Sequence, residues 1–162
     1  MRRAALVLAL LAAACSSKPK TESEWEREHP QAPAAAADEQ PAPPAYPSDA
    51  NLLEFRVDDP DRFRYFVDRA SVSVEKDGTV RYVLVARSPE GAQNVTYEGL
   101  RCASGENRVY AVGRSDRTWL AAAGGWRPIS APRHLTLYRE YFCPQGKPVR
   151  RAADAVRALE KH

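Results

Sequence analysis

Residues 71–102 read SVSVEKDGTVRYVLVARSPEGAQNVTYEGLRC, and this stretch decides the fold. Asp77-Gly78 supplies the positive φ of a tight hairpin between Ser71–Glu75 and Thr79–Arg87. Val72 and Val74 face the core from the first strand; on the second, Val80, Tyr82, Leu84 and Ala86 share one face while Val83 and Val85 share the other. A strand apolar on both faces is predicted to be central, covered by sheet on one side and helix on the other. Ser88-Pro89-Glu90-Gly91 turns the chain again, and Asn94–Cys102 makes a further strand that ends on a cysteine.

Working outward, Asn51–Val57 and Arg62–Asp68 read as short strands separated by the acidic turn Asp58-Asp59-Pro60-Asp61. That turn breaks the ligand spacing of a calcium loop and is read as a plain turn. Downstream, Arg108–Arg114 is another strand, followed by Trp119 and Trp126. Leu135, Tyr138 and Phe142 lie at helical spacing, so Arg133–Phe142 is predicted helical, ending at Cys143-Pro144-Gln145-Gly146. A last helix is expected from Pro148 to Lys161, with Val149, Ala152, Val156 and Leu159 as its apolar stripe and Arg150–Asp154 as an exposed i,i+4 pair. The expected fold is α+β: an antiparallel meander of about five to six strands with two C-terminal helices packed on it and one disulfide.

The N-terminus, MRRAALVLALLAAAC, has the parts of an export signal: two arginines, an apolar run from Ala4 to Ala14, and small residues before Cys15. Eleven residues at 1.5 Å each span about half of a ~30 Å hydrocarbon core, which disfavours a membrane-spanning helix. Ala12-Ala13-Ala14-Cys15 resembles a lipobox, with Leu11 one place earlier than usual, so residues 1–14 are read as a lipoprotein-type signal and Cys15 as the lipidated residue. The plainer alternative is an ordinary signal that leaves Cys15 as a stray thiol. By resemblance to lipoprotein sorting signals, Ser16 points to the outer membrane, facing the periplasm. Setting Cys15 aside leaves Cys102 and Cys143, a pair that an exported chain is expected to oxidise.

Residues 15–50 turn to Pro, Ala and acid, with three basic residues against seven acidic ones (net −4), and read as a tether. One island in it, Glu24-Trp25-Glu26-Arg27-Glu28-His29-Pro30, offers Trp25 as an anchor onto the domain or a partner. Residues 51–162 form the expected single globular domain, 19 basic against 14 acidic (net +5). Its arginines are scattered along the chain, which indicates a solvated face and gives no reason to expect nucleic acid.

Taken together, Asp77-Gly78-x-Val80-Arg81-Tyr82, then Gly91-Ala92-x-Asn94-Val95-x-Tyr97-Glu98-Gly99-Leu100-Arg101-Cys102, then Tyr110-Ala111-x-Gly113-Arg114, Trp119, Trp126 and Tyr141-Phe142-Cys143 resemble the cryptic neisserial protein-like family. The Glu22-Ser23-Glu24-Trp25 island is similar to the N-terminal part of that family. The resemblance implies a small proteobacterial envelope protein of unassigned function, with no known catalytic set.

Catalytic motifs are sparse. The domain offers His134 and the terminal His162 but no G-x-S-x-G elbow, and Gly124-Gly125 lacks the Lys-Ser/Thr of a phosphate loop. Neither a redox C-x-x-C nor a zinc-type Cys/His cluster is present, so no metal and no cofactor are expected. Glu98, Asp116 and Glu140 are the carboxylates from which a glycosidase pair would have to be built. The most demanding polar residues are Asn94, Tyr97, Glu98 and Arg101 on one strand, flanked by Arg81 and Tyr82, a candidate groove for a glycan or peptide. The competing reading is an internal network with Glu98 paired to Arg81 or Arg101. The expected function is therefore a tethered envelope binding or scaffolding domain with a membrane anchor and a protein or glycan partner. The alternative is a small enzyme acting on an envelope polymer such as peptidoglycan.

Overall fold

The computed structural model describes residues 40–58 and 62–161. Residues 1–14, read above as a signal, Cys15, Trp25, residues 59–61 of the acidic turn and His162 lie outside them. Among the described residues there are eight antiparallel strands: β1 (Leu52–Phe55), β2 (Arg64–Asp68), β3 (Ser73–Val74), β4 (Thr79–Arg87), β5 (Gln93–Arg101), β6 (Glu106–Gly113), β7 (Trp119–Ala121) and β8 (Arg127–Pro128). They form one sheet in the order β1-β2-β4-β5-β6-β7, with β3 also paired to β4 and β8 also paired to β6. β2 and β3 therefore lie end to end along one side of β4, interrupted by the 3-10 turn Arg69–Ser71.

The predicted hairpin is present, and Gly78 alone carries its positive φ (+81°). Glu75 N bonds Thr79 O at 2.8 Å, Gly78 N bonds Glu75 O at 3.0 Å, and Asp77 Oδ1 accepts from Thr79 N at 2.9 Å. This is a three-residue loop in which only the last position needs glycine. Arg114–Thr118 repeats the pattern with Asp116 accepting from Thr118 N, but Arg117 stands at the left-handed position with φ +64°.

β4 is apolar on both faces because the sheet has a core on each side. One core gathers Leu53, Phe55, Tyr65, Val67, Val80, Tyr82, Leu84 and Leu100 under the C-terminal helices. The other gathers Phe66, Val83, Val85, Val95, Tyr97 and Tyr110. The cover of this second face differs from the expected second layer of sheet: Tyr46, Leu52, Trp119 and Trp126 pack on it. Residues 40–50, read above as the end of the tether, belong to the same compact unit as the sheet. Gln40 Nε2 donates to Tyr110 O, Trp119 Nε1 donates to Pro44 O at 3.0 Å, and Tyr46 Oη donates to Arg114 O at 3.1 Å. Proline-rich chain thus serves as cover through a side-chain amide, a phenol and a backbone carbonyl, none of which needs a ladder of its own.

Two buried-side glycines explain why the tyrosines fit. A Cβ on Gly99 would sit 2.7 Å from Tyr110 Oη and 2.9 Å from Cε2, and one on Gly113 would sit 2.7 Å from Tyr46 Oη. Each ring lies flat over a bare stretch of strand. Gly99→Ala is expected to lower stability by about 1–3 kcal/mol through overpacking. The unfolding midpoint should recover part of that loss in a Tyr110→Leu background; equal costs in both backgrounds would show that the ring is not what the methyl meets.

The helical prediction for residues 133–142 is correct in type. Helix α1 (Pro132–Thr136) runs directly into π-helical turns at Leu137–Phe142, with Cys143 N bonding Tyr138 O at 2.9 Å. The buried stripe is His134, Leu137, Tyr141 and Phe142, one residue away from the predicted Leu135 and Tyr138. The wider π turn lets two successive aromatics, Tyr141 and Phe142, both turn inward. Cys143 at its end is bonded to Cys102 at the end of β5, with Cα atoms 5.3 Å apart. Helix α2 (Ala152–Leu159) begins four residues later than expected and buries Ala155 and Leu159. Arg150 consequently precedes the first turn, and the expected Arg150–Asp154 pair is replaced by Asp154 with Arg151 and Arg157 at i−3 and i+3.

Candidate functional site

Period-two alternation divides the predicted groove residues between the two faces of the sheet. Asn94 and Glu98 point to the helix side, as do Thr96 and Leu100; Arg81, Tyr97 and Arg101 point to the other side. They do not form one groove.

On the second face the arginines that look scattered in sequence are brought together. Arg64 and Arg87 lie over Phe66 at 5.2 and 4.8 Å, Arg81 and Arg108 over Tyr110 at 5.7 and 5.3 Å, and Arg101 over Trp126 at 3.9 Å. Arg81 also reaches Glu75 at 3.5 Å. Guanidinium planes stacked on rings shield an aromatic surface while keeping their charge in water. Arg101 and Arg81 thus have aromatic partners on the face away from Glu98.

Glu98 is 2% exposed and fully engaged, with neither Arg81 nor Arg101 among its bonded partners. Its Oε2 accepts from Tyr82 Oη at 2.9 Å and lies 2.8 Å from His134 Nε2, while its Oε1 accepts from Thr96 Oγ1 at 2.6 Å. Tyr82 is wholly buried and His134 is 4% exposed. The β4–β5 register brings Tyr82 opposite Glu98, with Thr96 two residues along on the same face. α1 then lowers His134 onto the carboxylate from above. Burial by itself would push the Glu98 carboxyl up, but His134, Thr96 and Tyr82 more than offset it and hold it below the ordinary 4.5. Burial, followed by the neighbouring carboxylate, pushes the Tyr82 phenol well above its ordinary 10.0.

The signs of these shifts give a pH window. A lowered Glu98 contributes stability that is present above pH 4.5 and is lost as pH falls through its folded value. A raised Tyr82 contributes stability that is present below pH 10 and is lost as pH rises further. Unfolding midpoints measured from pH 3 to 7 should fall at the acid end, with a shallower acid limb in Glu98→Gln; parallel limbs in the two proteins would exclude Glu98 as the source.

Beside this cluster, α1 and the sheet leave an open cleft of about 370 Å³. It is lined by Phe63 and Tyr65, by Leu84 and Ala86 of β4, by Asn94 and Thr96 of β5, and by Pro132 and Arg133 of α1. Glu98 lines the cleft while accepting from three protein donors. Of the residues singled out in sequence, the cleft brings together Asn94 and Glu98. Sequence reasoning did not link Tyr82 and Thr96 to Glu98, although both follow from counting back through the Ser88–Gly91 turn. His134 carries no local signal, because its partner is 36 residues away. No group of three or more His, Cys, Asp or Glu among the described residues is placed to hold a metal ion.

Comparison with protein families matches residues 31–160 to the CNP1-like family, which covers the sheet, both helices and the proline-rich cover. The chain belongs to the CNP1-like family. No curated protein and no solved structure matches it. The family match begins at residue 31, upstream of the first described residue, Gln40. Among the described residues no helix is long and apolar enough to cross a membrane.

Proposed function

We propose that this member of the CNP1-like family is an envelope lipoprotein, anchored through Cys15 in the outer membrane and facing the periplasm, whose domain is a non-catalytic binding module using the cleft beside Arg133. The export signal, the small residues before Cys15 and the Cys102–Cys143 disulfide support the compartment. The binding reading is carried by the state of Glu98. A carboxylate that already accepts from three protein donors and is 2% exposed is poorly placed to take a substrate proton, which supports reading the cleft above it as a place to bind rather than to react.

The test is a full-length chain carrying a photoreactive residue in place of Ala86, irradiated in bacterial cells. An adduct with an envelope component, travelling with the membrane fraction and released from it by Cys15→Ser, is the expected result. Absence of any adduct from the anchored protein overturns the binding module. Retention of Cys15→Ser in the membrane overturns the lipid anchor. The second reading, a small enzyme on an envelope polymer, draws on the closeness of His134 and Glu98 to the cleft. Release of soluble fragments from purified peptidoglycan, abolished by His134→Gln in a protein that still unfolds cooperatively, would favour it.

A further inference from the structure

Another cavity, of about 480 Å³, shares no lining residue with the cleft beside Arg133. It forms where residues 46–49 of the proline-rich cover meet Gln93 of β5 and the β6–β7 turn, with Arg114 and Arg117 in its walls. The walls are tied down within the protein. The Tyr46 ring lies over Gly113, where a Cβ would meet its Cε2 at 2.9 Å, and its Oη donates to Arg114 O at 3.1 Å. The Arg117 guanidinium lies over the same ring at 5.5 Å, and its Nη2 donates to Pro47 O at 3.4 Å. Arg117 does this from a left-handed φ of +64°, whereas the matching residue of the β3–β4 turn is Gly78. Glycine at 117 would relax the backbone but would supply no guanidinium. An arginine already ordered on a ring has little further rotamer freedom to lose when an anion binds.

The acids near this cavity are engaged inside the protein. Asp49, the carboxylate in its lining, is paired with Arg87 at 2.5 Å, and Asp116 of the turn accepts from Thr118 N and Oγ1 at 3.0 and 2.6 Å. The donors are less used. Arg114 forms no ion pair among the described residues. Gln93 Oε1 accepts from Arg87 Nε at 3.0 Å, which leaves the Gln93 amide NH₂ to donate. One guanidinium fork fills the two oxygens of a carboxylate, whereas the three terminal oxygens of a phosphate monoester can serve two forks. The volume is that of a small organic ligand rather than of a bare ion, and the hydroxyls of Ser48 and Ser115 with the Gln93 amide suit hydroxyl groups beside the phosphate.

We propose that this cavity binds a sugar phosphate, with the phosphate on Arg114 and Arg117 and the sugar hydroxyls on Ser48, Ser115 and Gln93. The full-length chain, purified in mild detergent, is titrated calorimetrically at low ionic strength with glucose 1-phosphate, glucose, glucuronate and inorganic phosphate. Saturable binding of glucose 1-phosphate is expected, about tenfold or more tighter than that of the other three, and weakening as salt is added. Arg114→Gln should weaken it about tenfold, the loss of one charge-assisted contact. As a change at an exposed side chain, it should leave the unfolding midpoint within about 2 °C. Arg117→Gly, which puts a residue suited to the left-handed position into the turn, should weaken binding at least as much. Absence of saturable binding, equal binding of glucose, glucuronate or inorganic phosphate, or unchanged binding by Arg114→Gln overturns the proposal. Loss of binding in Arg133→Gln overturns it as well, since the phosphate would then sit in the other cleft.

Discussion

Glu98→Ala is expected to lower the stability of the domain by about 3–5 kcal/mol, because it strips the partner from two buried donors and one half-buried one at once. Tyr82 Oη, Thr96 Oγ1 and His134 Nε2 all bond this one carboxylate, and both Tyr82 and His134 are sealed from water. The deleted side chain also leaves a cavity under α1 that the surrounding strands cannot close. For a domain of this size the loss corresponds to a fall of roughly 10–20 °C in the unfolding midpoint. Glu98→Gln keeps the shape and one acceptor oxygen, and Thr96 can rotate to accept from the amide, so its cost should be less than half as large. Thermal unfolding of the two variants separates the causes. Equal costs would assign the stabilisation to the charge, and a midpoint within about 2 °C of wild type for Glu98→Ala would remove the cluster from any account of the fold.

The second large effect is loss of the Cys102–Cys143 bond. The bond spans 41 positions and ties the end of β5 to the end of the π-helical turns. Removing it returns loop entropy to the unfolded chain worth about 4 kcal/mol, against a total of roughly 5–15 kcal/mol for a typical domain. The double variant Cys102→Ala/Cys143→Ala, followed by denaturant titration, should show a much earlier midpoint. The reduced wild-type protein should match it. The folded state itself changes little, since the Tyr138 Oη bond to Cys102 O does not depend on either sulfur. A midpoint that does not move would mean that α1 holds β5 in place without the covalent link.

The sheet was legible in residues 71–102 because its signals are local. Asp77-Gly78 and Ser88–Gly91 define two turns, and turn positions fix register, so Tyr82 opposite Glu98 was already implicit. The double-sided apolar pattern of β4 correctly placed it in the middle of the sheet. The groove drawn from Asn94, Tyr97, Glu98, Arg101 and Arg81 treated neighbours in sequence as neighbours in space, whereas a strand sends successive side chains to opposite faces. The arginines looked scattered for the converse reason: residues from five places in the chain reach one face of the sheet only through strand pairing. The Pro-rich composition of residues 40–50 suggested a free tether, because composition reports what a segment can bury by itself. It says nothing of the carbonyls that Pro44 and Pro47 offer to Trp119 and Arg117, or of the amide that Gln40 offers to Tyr110 O.

By itself, then, the sequence determined the antiparallel α+β class, the turn positions, the oxidised cysteine pair and the family, each of which depends on spacing along the chain. Tertiary structure alone decided what Glu98 is for. It brought His134 from 36 residues away, turned the two arginines to the far side, and left the cleft open between Arg133 and Leu84. The physical reason is that a buried carboxylate takes its properties from whichever donors surround it, and those are assembled by packing across the fold rather than by proximity along the chain.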